Sequence, residues 1–289
     1  MRVLPARNVW PHGLTKRQQA APGALSDVDI LQFALTLEHL EAAFYKDGFA
    51  KFGAPEFQAL GFNQKTIDDL IQIGKTEATH VTVLSGAISG AGGKPVEPCE
   101  YDFGFTDAAG MVATAKVLEA VGVSAYLGAA PLISDPKILA AAASIVTIES
   151  RHNTLIRAVG QDIGIPQAFD VAIPARQIFT LAAQFIKSCP EGSNLPFTAF
   201  PSLVINNPET VQGGSALTLR DESLVQAAGG PLFCAFQSGE SGIQFAELTA
   251  GKCTVPAGLN GEVFVTISSD GVAISDEATV AGPSILVLS

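Results

Sequence analysis

Charged residues make up only 16% of this 289-residue chain, and histidine is scarcer still, with four in all. Against 47% apolar residues, so little charge excludes a globally disordered polymer and leaves material for a large core. The charge present is mostly acidic, net −11, which argues against nucleic acid or an anionic membrane surface as a partner. There is no Asn-x-Ser/Thr site, so N-glycosylation lends no support to secretion. No apolar stretch approaches the length of a membrane-spanning helix, and no hydrophobic signal-peptide core is visible at the N-terminus. The four cysteines include no Cys-x-x-Cys pair, which removes zinc-ribbon and thioredoxin-type motifs.

Two domains are the natural expectation at this length. Residues 1–24 are basic, rich in Pro and Gln, contain the pair Lys16-Arg17 and lack acids, so the rest of the chain carries −15. They read as a disordered leader or pro-segment; a misassigned start or an appended remnant is the alternative. Beyond them, residues 25–189 show apolar spacings of three and four, the period of amphipathic helices. Helix 1 starts near Ser26, where Ser26 and Asp27 can cap it and Asp27 and Asp29 suit its positive end. Helix 2 spans about 64–89 and ends at a Gly-rich stop before Pro95. Residues 94–105 form a long crossover. Helix 3 is capped by Thr106 and Asp107 and broken by Pro131, helix 4 starts at Asp135-Pro136, and a fifth helix spans about 174–187. Residues 190–289 lose this periodicity. Short strand-like runs at 202–205, 216–219, 232–237, 243–248, 263–268, 278–280 and 284–288 alternate with Gly, Pro and Ser clusters, the pattern of a small β-sandwich or barrel. The fold class is therefore mainly α with a β C-terminal part.

Cys99 and Cys189 flank the helical region, and Cys234 and Cys253 lie in the strand-rich part. An even number so placed suggests the bridges Cys99–Cys189 and Cys234–Cys253 and an oxidising compartment. The other pairings, and four free thiols, stay open on sequence alone.

Two of the four histidines stand three residues after a glutamate, in Glu77-Ala-Thr-His80 and Glu149-Ser-Arg-His152. Three residues apart on a helix share a face, so each pair delivers a carboxylate and an imidazole to one point. Upstream of each pair, a glutamate precedes a tyrosine by seven: Glu38 with Tyr45, Glu119 with Tyr126. Glu, Glu-x-x-His, Glu, Glu-x-x-His is the ligand set for two metal ions at the centre of a four-helix bundle. Four carboxylates buried among Leu, Ile and Val cost several kcal/mol each unless neutralised. Two divalent ions neutralise them, and a carboxylate-rich set with some imidazole suits Fe or Mn. The competing reading is a bundle that keeps these residues without metal. On helix 4 the face opposite the ligands holds Ser144, Ser150, Arg151 and Arg157, which fits solvent.

Glu41 also precedes Tyr45, but at four residues, so the internal match selects Glu38 as ligand and leaves Glu41 as a supporting acid or a boundary residue. Tyr45 and Tyr126 read either as core tyrosines or as hydrogen-bond donors to ligating carboxylates. His39 points about 100° away from Glu38, towards the surface or a helix–helix seam. His12 lies in the leader and carries no case.

The ligand order and the Glu-to-Tyr spacing resemble the ferritin-like superfamily of bacterioferritins, rubrerythrins and manganese catalases. A closer resemblance, to fungal stress-response proteins of the desiccation-related family, covers about residues 25–289. It rests on Leu-Glu-His-Leu-Glu-Ala-Ala-Phe-Tyr (37–45), the Glu149–His152 helix, Phe200-Pro201 and Val-Ala-Gly-Pro-Ser-Ile-Leu (280–286). The resemblance implies a ferritin-like four-helix bundle plus a fifth helix, and a secreted or cell-wall location under stress. It also implies a dimetal site that meets a small oxidant, peroxide or O2, by catalase- or oxidase-like turnover. The ions would divide as Glu38, Glu77 and His80 against Glu119, Glu149 and His152, with Glu77 and Glu149 bridging. A non-enzymatic cell-wall or desiccation-protective protein, stabilised by its metals, is the competing class; iron storage is a weaker third. A homo-oligomer is compatible with the sequence, which does not set the assembly.

Overall fold

The computed structural model describes residues 25–193, 195–220 and 230–288. The leader expected over residues 1–24, with His12, lies outside the described residues.

Four long helices form the bundle: α1 (Asp27–Lys51), α3 (Gln64–Gly90), α4 (Ala108–Ala129) and α5 (Pro136–Val159). Each starts on a side chain that accepts an otherwise unbonded amide. These are Ser26 for Asp29, Asn63 for Thr66, Asp107 for Gly110 and Asp135 for Lys137. Asp27 does more than favour a helix end. Its carboxylate accepts from the amides of Ser134 and Asp135 at 2.7 and 2.8 Å, tying the start of α1 to the start of α5. The connection after α1 contains a short helix, α2 (Ala54–Ala59), which buries Phe57.

α1 packs along α3 and α4 along α5, giving two antiparallel hairpins. The crossover between them, residues 94–105, runs the length of α1. Gln32 donates to Lys94 O and accepts from the Val96 amide, His39 Nε2 meets Val96 O at 3.1 Å, and Lys51 Nζ reaches Phe105 O. His39 thus sits half-buried on the crossover side of α1. Both expected bridges form. Cys99–Cys189 fastens the crossover to the segment after α6 (Ala175–Ala183), next to a two-stranded ribbon of β1 (Glu100–Tyr101) and β2 (Ile186–Ser188). The fifth helix is shorter than expected because its last residues form β2.

The expectation that no stretch approaches membrane-spanning length is overturned. The segment Ala108–Leu132 is long and apolar enough, by length and composition, to cross a membrane. Its apolar surface continues round the helix because α4 is the core helix, packed against α1, α5 and α6 and buried on all sides through its second half. It also carries Lys116 and Glu119 at its middle.

The C-terminal part holds small antiparallel sheets. β5 (Gly242–Glu247), β4 (Phe233–Ser238), β7 (Gly261–Ser268) and β8 (Thr279–Leu288) form a four-stranded sheet in that order, and β3 (Ala216–Thr218) pairs with β6 (Lys252–Thr254). The two sheets share a core of Leu217, Phe236, Cys253, Val263, Val265 and Ile267, crossed by the Cys234–Cys253 bridge. The runs at 278–280 and 284–288 are one strand, and the run at 202–205 contributes only a bridge from Ile205 to Leu219. Every residue of β7 is buried. Val263, Val265 and Ile267 face the β core while Phe264 joins the helical core, so this sheet is covered on both faces.

That contact buries a charge. Arg157, expected on the solvent face of helix 4, is 1% exposed. It donates through Nη1 to Glu262 Oε1 of β7, and Nε donates to Ile163 O at 2.8 Å. The correction has a plain cause: β7 reaches α5 at Arg157, while Ser144 and Arg151 stay exposed, and a carboxylate 105 residues away accompanies the guanidinium.

Candidate metal centre

At mid-length the four helices converge on carboxylates. Glu38, Glu77, Glu119 and Glu149 are each 0% exposed, Glu41 3%, His80 8% and His152 6%. α1, α3, α4 and α5 each contribute one glutamate, and the i,i+3 spacing on α3 and α5 adds the imidazoles beside Glu77 and Glu149. Two groups of donor atoms form, each within 4.8 Å: Glu38, Glu77, His80 and Glu149, and Glu77, Glu119, Glu149 and His152. Glu77 and Glu149 belong to both.

Around His80, Nδ1 lies 3.0 Å from Glu77 Oε2, 3.1 Å from Glu38 Oε2 and 3.3 Å from Glu149 Oε1. Around His152, Nδ1 lies 2.8 Å from Glu77 Oε1 and 3.3 Å from Glu119 Oε2. Glu77 therefore offers one oxygen to each group. Around His80 the contacts to Glu38 Oε2 and Glu77 Oε2 are hydrogen bonds, but other atoms of the cluster have none. His152 Nδ1, Glu77 Oε1, Glu119 Oε2 and both oxygens of Glu149 are buried with no hydrogen-bond partner. Orphaned donors and acceptors are rare in folded proteins and costly to bury. Here five such atoms belong to Glu77, Glu119, Glu149 and His152, residues whose donor atoms gather within 4.8 Å of one another, as ligands do around a cation. The residues fit a metal.

The supporting contacts cross between the hairpins. Tyr45 of α1 donates to Glu119 Oε1 of α4, and Tyr126 of α4 donates to Glu38 Oε1 of α1, the latter at 2.5 Å. Each hydroxyl occupies one carboxylate oxygen and leaves the other to the cluster. Thr76 gives its hydroxyl proton to Ile73 O at 2.6 Å and so accepts from His152 Nε2 at 3.0 Å, which keeps that ring's proton on Nε2 and turns Nδ1 inward.

Two glycines make the room. A Cβ on Gly122 would stand 2.7 Å from Glu149 Oε2 and 2.9 Å from Glu41 Oε1. A Cβ on Gly74 would stand 2.8 Å from Tyr45 Cβ. Sequence reading passed over Gly74, Thr76 and Gly122. A trace existed for Gly122: it follows Glu119 by three, as Glu41 follows Glu38, so the acid on one hairpin fills the space the glycine leaves on the other.

Burial dominates the titration of this cluster. It raises Glu38 to about 7, aided by the charge of Glu77 and opposed by His80 and Tyr126. Burial and then the charge of Glu149 hold Glu41 well above the ordinary carboxylate value, and burial with Glu77 does the same to Glu149. Glu119 is raised too, again first by burial. Burial would also raise Glu77, but the attraction of His152 and His80 prevails and brings it to about 2. Burial would lower the imidazoles, yet the carboxylates around them raise His80 to about 12 and His152 to about 10. Without cations, then, this centre holds itself together with protons, and a cation would displace them.

Two hollows abut the tyrosines. An apolar one borders Tyr126, and a groove between α1 and α3 borders Tyr45 and is lined also by Lys46, Lys75, Gly74 and Ala78.

Residues 26–162 match the Ferritin-like domain family. Protein rds1 from Schizosaccharomyces pombe (strain 972 / ATCC 24843) is 24% identical over 211 residues, a match covering 71% of this chain and 52% of that protein. The chain thus spans about half the length of this fungal relative. A fungal relative agrees with the resemblance to fungal proteins drawn from the sequence. The family match ends three residues past α5, just after the helices that supply the six converging side chains. Residues 26–162, the helical bundle of this chain, are thus a ferritin-like domain.

Proposed function

We propose that this is a secreted, stress-associated ferritin-like protein. In this reading Glu38, Glu77, His80, Glu119, Glu149 and His152 hold two divalent ions, iron or manganese, and the pair reacts with peroxide or O2. The observation that carries the reading is the set of five buried, unpartnered atoms on Glu77, Glu119, Glu149 and His152, whose donor atoms gather within 4.8 Å of one another. Two +2 ions balance four carboxylates, and burial with the charge of Glu149 holds the Glu41 carboxyl well above the usual carboxylate range. Ions of this kind would supply electron exchange with a small oxidant. The chain's own residues do the rest. Glu77 and Glu149, which belong to both donor groups, would be shared by the two ions, Tyr45 and Tyr126 fix the outer oxygens of Glu119 and Glu38, and Leu35, Leu84 and Ile145 pack with Tyr126 in a buried apolar cluster. Two disulfides fit an oxidising compartment and support secretion or the cell wall.

A second reading draws on the closure of the centre, whose ligands are all 8% exposed or less. On that reading the metals act only as a staple in a cell-wall or desiccation-protective protein.

Elemental analysis of protein from its native source, followed by peroxide and O2 addition, tests both. The proposal expects two Fe or Mn per chain, an optical change on adding oxidant, and loss of both metals in Glu77→Gln/Glu149→Gln. Metal without any response to either oxidant supports the staple. Protein free of metal, which then takes up neither Fe nor Mn, would overturn the assignment.

A further inference from the structure

The bundle is hollow beyond Tyr126. A cavity of about 230 Å³ lies between the first half of α1, the last turns of α3 and α4, and the start of α5. Its origin is compositional. Ala34, Ala87, Ala125, Ala129, Ala141 and Ala142 line it where larger side chains would close it, and α3 and α5 meet only briefly. Val83 of α3 and Ala141 of α5, both in the lining, remain exposed, Val83 by 49%.

The lining is hydrocarbon with two exceptions. One is the Tyr126 hydroxyl, already committed to Glu38. The other is Lys137, exposed at the start of α5, a cation on a chain of net charge −11. Water and peroxide find no hydrogen-bonding partners in such a space. An apolar interior with one cation at its rim is complementary to a hydrocarbon tail bearing an anionic head. An apolar cavity of about 150 Å³ accepts benzene, so this larger one has room for a longer chain.

We propose that the cavity binds an amphipathic carboxylate of the medium-chain fatty-acid class, tail inward against Tyr126 and head at Lys137. Binding requires only the cavity. Where the dimetal reading also holds, on which this consequence rests, the tail lies one side chain from the ligand Glu38 and is the organic molecule nearest the metals.

Calorimetric titration of the purified full chain with sodium decanoate at low ionic strength is the test. Saturable one-to-one binding is expected, weakened about tenfold or more by Ala34→Phe, which fills the interior. Lys137→Glu should weaken decanoate several-fold, with the difference shrinking in high salt, and leave n-decanol unaffected. Should Ala34→Phe not fold, Ala141→Phe enlarges the lining from an exposed position and carries the same expectation. Absence of saturable decanoate binding, or binding indifferent to filling, overturns the proposal. Metal content is read separately by elemental analysis, so either conclusion can fail while the other stands.

Discussion

Gly122→Ala separates local helix preference from the geometry of the metal centre. On helix propensity alone, replacing glycine by alanine within α4 stabilises by about 1 kcal/mol. The structure gives the opposite sign. The new methyl would stand 2.7 Å from Glu149 Oε2 and 2.9 Å from Glu41 Oε1, where ordinary contact begins at 3.4 Å. Both residues are buried, so neither carboxylate can swing out to solvent. Overpacking a filled core costs about 1–3 kcal/mol, which outweighs the propensity gain and leaves a net loss of up to about 2 kcal/mol. Each kcal/mol moves the melting temperature by roughly 2–4 °C in a domain of this size. Displacing Glu149 should in addition weaken metal binding by about 10–100-fold, the usual cost of disturbing a ligand's support. Gly86→Ala in α3 is the control, because a Cβ there meets nothing within 4 Å; it should stabilise by about 1 kcal/mol. Thermal unfolding and metal titration of both variants decide the matter. If Gly122→Ala matches Gly86→Ala in melting temperature and metal affinity, the reasoning about how the carboxylates pack is refuted.

Two further predictions concern charge. Glu38, raised to about 7, and His80 and His152, raised to about 12 and 10, bind protons more tightly in the folded chain than in the unfolded one. Their stabilisation is complete below the unfolded values of about 4 and 6.5 and is lost as pH rises towards the folded ones. Glu77, lowered to about 2, acts oppositely, its contribution lost as pH falls from about 4 towards 2. Chelated protein should therefore melt progressively lower as pH rises from about 5 to 9, while metal-loaded protein gains stability over that window because protons no longer compete for the ligands. Calorimetry with and without chelator checks this, and a flat profile for the chelated protein contradicts it. The second prediction addresses Arg157 and Glu262. Glu262→Gln strands a guanidinium that is 1% exposed and should cost about 3–5 kcal/mol, whereas Arg157→Met with Glu262→Leu should recover most of the loss. Urea unfolding of the two singles and the double measures it; a double as unstable as the sum of the singles would mean no pairing.

The sequence by itself determined what repeats over short distances. Glu77 with His80 and Glu149 with His152 share helix faces because three residues nearly complete a turn, and Ser26, Asp107 and Asp135 start helices because their side chains reach amides two or three residues on. The seven-residue offset of Glu38 from Tyr45 and of Glu119 from Tyr126 likewise marked the tyrosines' rows. Only the tertiary structure decided which partner each residue meets. Tyr45 serves the glutamate of the other hairpin, 74 residues away, rather than its own. Glu41 is buried because Gly122 has no side chain, and Arg157 leaves solvent because β7 arrives with Glu262. α4 looks like a membrane helix by composition because a helix enclosed by its own protein and one enclosed by lipid are apolar all round for the same reason. Periodicity records which face of an element is apolar, but which element covers that face is set by long-range packing.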